Sequence, residues 1–337
     1  MSKPVLKVWC LSDGKPGHYN QSKGLLQTLG LGYTLQLEWL DMRLRFRWLR
    51  WLMRIMINRG VANQWLVNRH ELTLPAGKPD LILSTGGNTS FLNAALASLL
   101  GCKNYYLGSL RGLNPERFTL VFTIEPVTGA TNNIVMPLAP VPVDHEARRQ
   151  ASEALKKEHQ GPLWTMLIGG STREYRYAEE EWQALAAEMN RLAMAHGIRW
   201  LITTSRRTGE KIEQALQQAL DADHLAEAVW YAAQPRKVMT AYLGSAERIF
   251  CTEDSLSMLT EAVTSGKPVT SLYPASCQPA ATYQAAIQRL VEQGWIERSL
   301  ISSIPESALD VVKQSQQDPH AQLWDLILAS LPKMTTG

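Results

Sequence analysis

Two glycine turns hold the residues best suited to chemistry. The first, Ser12-Asp13-Gly14-Lys15-Pro16-Gly17-His18, follows the apolar run Val5–Leu11 and precedes a helical pattern from Asn20 to Leu29. The second, Ile168-Gly169-Gly170-Ser171-Thr172, follows the strand-like run Trp164–Ile168 in the other half of the chain. A strand feeding a glycine turn and then a helix start leaves backbone N–H groups free to meet an anion. In the first turn, His18 is a candidate general base, because an imidazole changes charge near neutrality and takes a proton from an attacking hydroxyl. Asp13 competes for that role, and a third reading has His18 merely bracing the turn. Lys15 either approaches a phosphate or a sugar carboxylate or, as a lone lysine in a loop, is merely solvated.

Three further segments carry suitable groups. In Glu253-Asp254-Ser255-Leu256-Ser257-Met258, continuing to Glu261 and Gly266-Lys267-Pro268, a strand ends and Asp254 or Ser255 is expected to cap a helix. Such a helix start, with its Ser hydroxyls, suits a pyrophosphate. Glu261, about two turns on, can accept both hydroxyls of a ribose. The bland alternative is a well-capped helix with an exposed glutamate. In Thr203-Thr-Ser205-Arg206-Arg207-Thr208, paired guanidiniums at a strand end would offset charge on a leaving diphosphate, or are simply two surface arginines beginning a charged helix. With arginines in that role and the chain read as free of the Asp-x-Asp that holds a metal in other transferases, no metal and no cofactor is expected. The turn Thr85-Gly86-Gly87-Asn88-Thr89-Ser90 precedes a helical pattern and lines an acceptor side or simply makes a tight connection.

The elements that must position these groups alternate strand and helix along the chain, which implies parallel sheets with ligands at the carboxyl ends of strands. Strands are predicted at 34–37, 81–84, 104–107, 120–124 and 134–136, then at 200–203, 229–231, 248–251 and 269–272. Helices are predicted at 90–100, 178–196, 209–221, 236–243, 257–265 and 321–331. The Pro137, Pro140 and Pro142 stretch stiffens a connection near residues 140–160. Domains are therefore expected at 1–150 and 160–320, with a helix and tail at 321–337 that could close on either half.

Composition narrows the class. The 337 residues, 45% hydrophobic and 19% charged, carry a net charge of +3, too little to argue for nucleic acid. Cys10, Cys102, Cys251 and Cys277 are widely spaced and match neither a disulfide framework nor a zinc site. No secretory signal and no long uncharged apolar run is present, so a cytoplasmic location is expected. One stretch stands apart: Arg43, Arg45, Arg47, Arg50, Arg54 and Arg59, with no acid between Met42 and His70, interleaved with Trp48, Trp51, Leu52, Ile55 and Met56. If helical, Arg43, Arg47, Arg50 and Arg54 form one stripe. That pattern is either an interfacial helix on anionic lipid or a core helix with an arginine-rich outer face.

The order of a Ser-rich helix start, Glu261, Gly266 and Pro268 resembles the donor site of GT-B glycosyltransferases, which pair an N-terminal Gly-Gly-His turn with a C-terminal Gly-Gly-Ser loop; this chain has Gly17-His18 and Gly169-Gly170-Ser171 in those places. More closely, Ser12 to Leu25, Ile168 to Ser171, Thr203 to Thr208 and Glu253 to Pro268 resemble the mitochondrial-fission (elongated-mitochondria) protein family. Where the peptidoglycan transferases have Gly-x-Leu-Thr, this chain reads Asp254-Ser255-Leu256-Ser257, setting an acid beside the expected diphosphate. The resemblance implies a GT-B-like α/β fold, two Rossmann-like parallel-sheet domains facing a central cleft. It implies donor contacts at Gly169, Gly170, Ser171, Thr172, Ser205, Arg206, Arg207, Ser255, Ser257, Met258 and Glu261. Acceptor-side contacts would come from Ser12, Gly14, Lys15, Gly17, Gln21, Thr85, Gly86, Gly87 and Asn88. The activity implied is transfer from a nucleotide-sugar to a cell-envelope glycan or lipid-linked acceptor, peripheral to the inner face of the cytoplasmic membrane. The rivals are a non-enzymatic membrane-associated adaptor, as for plant members of the family, and a nucleotide-sugar epimerase.

Overall fold

The computed structural model describes residues 2–45, 47–61, 64–136, 138–306, 309 and 318–331. The chain divides into two compact units: one runs to Pro142 and is rejoined by the segment from Pro319, and the other is Val143–Asp318.

The first unit is built on six parallel strands: β1 (Val5–Ser12), β2 (Thr34–Asp41), β3 (Leu81–Thr85), β4 (Lys103–Leu107), β5 (Leu120–Thr123) and β6 (Asn133–Val135). Their order across the sheet is β2-β1-β3-β4-β5-β6. Both faces are covered, which is why β1 reads as a continuous apolar run. Val8 and Cys10 face one core with Leu25, Leu29 and Phe122, while Trp9 and Leu11 face another with Ile82, Leu92 and Leu96. The helix after β1 spans Pro16–Leu29, starting earlier than its apolar pattern suggests. Pro16 sits in its first turn, where a missing N–H costs nothing, and this draws Gly17 and His18 into the helix. The last helix, Pro319–Ser330, belongs to this unit. Leu323 and Ile327 enter the core, and His320 Nδ1 meets Thr28 Oγ1 at 2.8 Å.

The second unit carries β7 (Leu163–Leu167), β8 (Arg199–Thr203), β9 (Leu225–Val229), β10 (Arg248–Thr252), β11 (Val269–Tyr273) and β12 (Glu297–Leu300), all parallel, in the order β9-β8-β7-β10-β11-β12. Trp164, Met166, Trp200 and Phe250 pack one face against the helix Glu179–His196 through Trp182, Leu185 and Met189. Leu163, Leu201 and Tyr242 fill the other.

The expected arginine stripe does not form. Arg43–Leu44 is a short strand antiparallel to His70–Glu71, tied down by bonds from Met42 N to Ser12 O and from Arg45 N to Arg69 O. The helix covers only Arg50–Asn58, so Arg43 is off it, and the side chain of Arg47 lies outside the described residues. The helix buries Met53 and Ile57 against Phe91 and Tyr106. It leaves Trp51 56% and Ile55 38% exposed, and Trp48, in the short 3-10 turn before it, is 71% exposed. No helix among the described residues is long and apolar enough to cross a membrane.

Candidate functional site

In each sheet the strand order reverses once, and open α/β sheets bind ligands at such a reversal, outside the carboxyl ends of the strands. In the first unit the reversal lies between β1 and β3, where the Ser12–His18 and Thr85–Asn88 turns meet. His18 Nδ1 donates to Asp13 Oδ1 at 2.9 Å, and Asn88 Nδ2 donates to Asp13 Oδ2 at 2.9 Å. Asn88 in turn accepts from the Arg50 guanidinium at 2.5 Å, so one line of bonds joins Arg50, Asn88, Asp13 and His18. The Asp13 side chain is only 4% exposed, whereas His18 is 30% exposed. Burial pushes the Asp13 carboxyl up, but hydrogen bonds from His18 and Asn88 outweigh it and leave the group below its ordinary value. An ionised Asp13 fixes the imidazole as the tautomer protonated on Nδ1, with Nε2 left to accept a proton. The ring lies over Gly86, whose φ of 87° and lack of a Cβ both matter: a Cβ there would occupy the space of the His18 ring.

The other acceptor-side residues divide. Gly14 takes a left-handed turn and donates to Ser12 Oγ at 3.2 Å, so Ser12 braces the turn. Lys15 is exposed, with Nζ 3.7 Å from Asp13. Thr85 is buried and bonded to Ser22 Oγ at 2.8 Å, which places it behind the site. The Gly87 backbone lies beneath the Arg111 side chain, while Gly17 faces open space. Gln21 lines a cavity of about 480 Å3.

In the second unit the reversal lies between β7 and β10. There Gly169-Gly170 meets Asp254, whose side chain is fully buried. Asp254 Oδ2 accepts from Gly170 N at 3.1 Å and from the Arg207 guanidinium at 2.5 Å, and Oδ1 accepts from Tyr177 OH at 3.3 Å. Both glycines are needed for close approach: a Cβ on Gly169 would strike the Asp254 carboxylate, and one on Gly170 would strike the Arg207–Thr208 backbone. Asp254 therefore does not cap the following helix, Leu256–Thr264. Ser255 holds the cap position without a side-chain cap bond and pairs with Ser257 Oγ at 3.2 Å. Ser205 Oγ donates to Gly169 O at 3.0 Å. Ser171 and Thr172 accept from Tyr177 N at 3.1 Å and Tyr175 N at 3.0 Å, folding their own loop. Arg206 and Ser257 are exposed, and Met258 and Glu261 are half-buried. Burial pushes the Glu261 carboxyl up, partly countered by Arg148.

An Asp-x-Asp does occur, contrary to a chain free of that metal motif: Asp221-Ala222-Asp223. It forms a short turn ahead of β9, at the amino ends of the strands, where Asp221 Oδ1 accepts from Asp223 N at 3.0 Å. Among the described residues no group of three or more His, Cys, Asp or Glu could hold a metal.

Sequence reasoning missed Glu253. It is fully buried, takes a two-pronged ion pair from Arg298 at 2.6 and 2.7 Å, and accepts from Tyr175 OH at 3.0 Å and Ser271 Oγ at 3.1 Å. The available signal was an acid placed directly at the end of the strand Arg248–Thr252, whose central residues Ile249, Phe250 and Cys251 are apolar.

Comparisons with known proteins agree with this architecture. An uncharacterised protein of Rickettsia prowazekii (strain Madrid E) is 26% identical over 175 residues, 50% of this chain and 46% of that protein, so the match spans about half the length of the curated relative. A Listeria monocytogenes protein provisionally assigned as a UDP-N-acetylglucosamine 2-epimerase superposes with a TM-score of 0.51 at 12% identity, covering 97% of this chain and 95% of that one. Another UDP-N-acetylglucosamine 2-epimerase gives 0.52 at 11% identity, covering 97% and 94%. At such identities the likeness is one of fold. The model of the family described as "Mitochondrial fission ELM1" matches residues 16–319, from the first turn of the His18 helix to the start of the last helix. With both glycine turns and the Glu253–Pro268 segment, all but the front of the first turn within that match, the chain belongs to the mitochondrial fission ELM1 family.

Proposed function

We propose that this chain is a metal-independent glycosyltransferase that moves a sugar from a nucleotide-sugar to a cell-envelope glycan or lipid-linked acceptor. The observation that carries this reading is the Asp13–His18 pair at the reversal point of the first sheet, with Nε2 left to accept a proton. His18 takes the proton of the acceptor hydroxyl as it attacks the anomeric carbon, and Asp13 holds the ring and stabilises the imidazolium. In the second unit Gly170 N, Arg207 and Arg206 receive the diphosphate, and Glu261 accepts the ribose hydroxyls. Guanidiniums rather than a metal neutralise the leaving group, consistent with the Asp-x-Asp lying at the opposite ends of the strands.

The test is calorimetric titration with UDP-, GDP-, CMP- and dTDP-sugars. One nucleotide-sugar is expected to bind, Glu261→Ala to weaken it at least about tenfold, and His18→Ala to leave it intact. A ribose diol needs the ionised carboxylate, so binding should strengthen as pH rises through the raised Glu261 value. No binding by a folded protein would move the reading to the adaptor. Isomerisation of the bound donor without any acceptor would move it to the epimerase.

Peripheral membrane association belongs to the same proposal. Trp48, Trp51 and Ile55 are exposed large apolar side chains close in sequence, Trp51 and Ile55 one turn apart on the same helix, Arg54 and Arg59 are exposed nearby, and no acid lies between Met42 and His70. Sedimentation with phosphatidylglycerol vesicles should capture the protein and release it on adding salt. Trp48→Ser with Trp51→Ser should lower binding at least about tenfold, as each interfacial indole lost removes apolar burial. Equal binding to uncharged vesicles, or indifference to these variants, defeats the idea.

A further inference from the structure

The first unit holds a cavity of about 480 Å3 at the carboxyl ends of β4, β5 and β6, within the range of about 300–1,000 Å3 usual for small-molecule sites. Its walls are mostly apolar, including Leu107, Leu110, Phe122, Val127 and Met136. Two charged side chains reach it, Arg111 and Glu125, and they form no ion pair with each other. Arg111 is exposed and has no hydrogen bond or ion pair to another described residue. It is also the one non-glycine residue of the described chain with positive φ, at 49°, a conformation that disfavours a side chain and persists where its surroundings impose it.

The cavity adjoins the Asp13–His18 pair. Gly86 N donates to Leu107 O at 2.9 Å, Gly108 packs against the Gly86 backbone, and the His18 ring lies on Gly86. The Arg111 side chain crosses Gly87 so closely that a Cβ there would sit 2.9 Å from its Nε. Apolar walls beside an uncompensated guanidinium favour a ligand with the matching pair of properties.

We propose that this cavity binds an amphiphile whose carboxylate or phosphate pairs with Arg111 while its alkyl or aryl part fills the apolar pocket. Apolar burial supplies attraction without direction, and the planar guanidinium fixes orientation through two parallel N–H donors. Glu125 repels an anion placed on its side of the rim and so narrows the ligand's approach to the Arg111 side. The proposal rests on the transferase reading only in naming the chemical class of the acceptor; the binding itself is tested without donor or turnover.

The experiment is calorimetric titration of the full chain with n-octyl phosphate below its micelle concentration, phenyl phosphate, n-octyl glucoside and inorganic phosphate. At least one organic phosphate should bind at one site, at least about tenfold tighter than inorganic phosphate and octyl glucoside. Preference for the octyl ester assigns a lipid-like ligand, and preference for phenyl phosphate a soluble aryl acid. Arg111→Ala should weaken that binding at least about tenfold, and Glu125→Gln should tighten it. Ala139→Trp, which fills the cavity from its wall, should block binding while Arg111→Ala keeps the native circular dichroism. Equal binding of inorganic phosphate, indifference to Arg111→Ala, or no binding of either organic phosphate by a folded protein overturns the proposal. Loss of nucleotide-sugar binding in the earlier titration leaves it standing, so the two failures are distinguishable.

Discussion

Replacing Arg298 by methionine is expected to destabilise the second unit by about 3–5 kcal/mol, the cost of leaving a buried carboxylate without its counter-charge. Glu253 is fully buried, and Arg298, 33% exposed, is its ion-pair partner through two bonds. The hydroxyls of Tyr175 and Ser271 also donate to Glu253, but they carry no charge. Partial exposure of Arg298 lets water into the vacated space and puts the expectation toward the lower end. At about 2–4 °C per kcal/mol for a unit of this size, the melting temperature should fall by roughly 10 °C. The pair also reaches the candidate donor site. Tyr175, held by Glu253, exchanges bonds with Thr172 at 2.7 and 3.0 Å and so shapes the loop after Gly170. Adding Glu253→Gln to Arg298→Met should restore a good part of the loss, because the stranded charge is gone. The check is urea denaturation followed by tryptophan fluorescence. A loss below about 0.5 kcal/mol, within the range of ordinary surface substitutions, would show that the pair is not a keystone.

Much of this fold was legible because the central strands of parallel sheets are buried on both faces. Val5–Leu11, Leu81–Ser84, Trp164–Ile168 and Arg248–Cys251 stand out as apolar runs, and the structure places strands there. The shortfalls are mostly edge strands. β9 lies at Leu225–Val229 rather than 229–231, since Glu227 and half-exposed neighbours blur its apolar signal. β12, Glu297–Leu300, carries a charged pair and gave no signal at all. β2 continues to Asp41 beyond its predicted end at Leu37, again with one edge open.

The candidate site was legible to the extent that glycine turns mark strand ends. The sequence singled out Asp13 and His18 only as rival bases in one turn, and the turn instead joins them as a pair at 2.9 Å. Partners distant in sequence were invisible. Nothing in Arg50, placed in a basic stripe, points to Asn88, and nothing near Glu253 points to Arg298. Those bonds exist because crossover connections deliver separate segments to the same sheet edge, which local pattern does not encode.

Asp254→Asn is expected to raise the affinity of the chain for inorganic pyrophosphate and for UDP at least about tenfold. The groups that would receive a diphosphate, Gly170 N and the Arg207 guanidinium, are held by the Asp254 carboxylate at 3.1 and 2.5 Å. An anion arriving there meets a negative charge already in place. Two unit charges about 4 Å apart repel by about 4 kcal/mol at an effective dielectric of 20, an upper bound that relaxation and water reduce. Recovering a third of it would give the tenfold, which corresponds to about 1.4 kcal/mol. Asparagine keeps the shape and an acceptor oxygen for Gly170 N, so the loop stays braced while the charge is removed. Arg207→Gln should lower pyrophosphate affinity in both backgrounds, because the guanidinium is the attractive partner in each. Calorimetry at low and moderate salt checks the sign, and the gain should shrink as salt screens the charges. If Asp254→Asn leaves affinity unchanged or weakens it while Arg207→Gln has no effect, Asp254 is a structural brace and the diphosphate does not use the Gly169-Gly170 turn. The sign of this one effect thus decides whether the acid that departs from the peptidoglycan-transferase pattern excludes the anion from the turn or only holds the turn in shape.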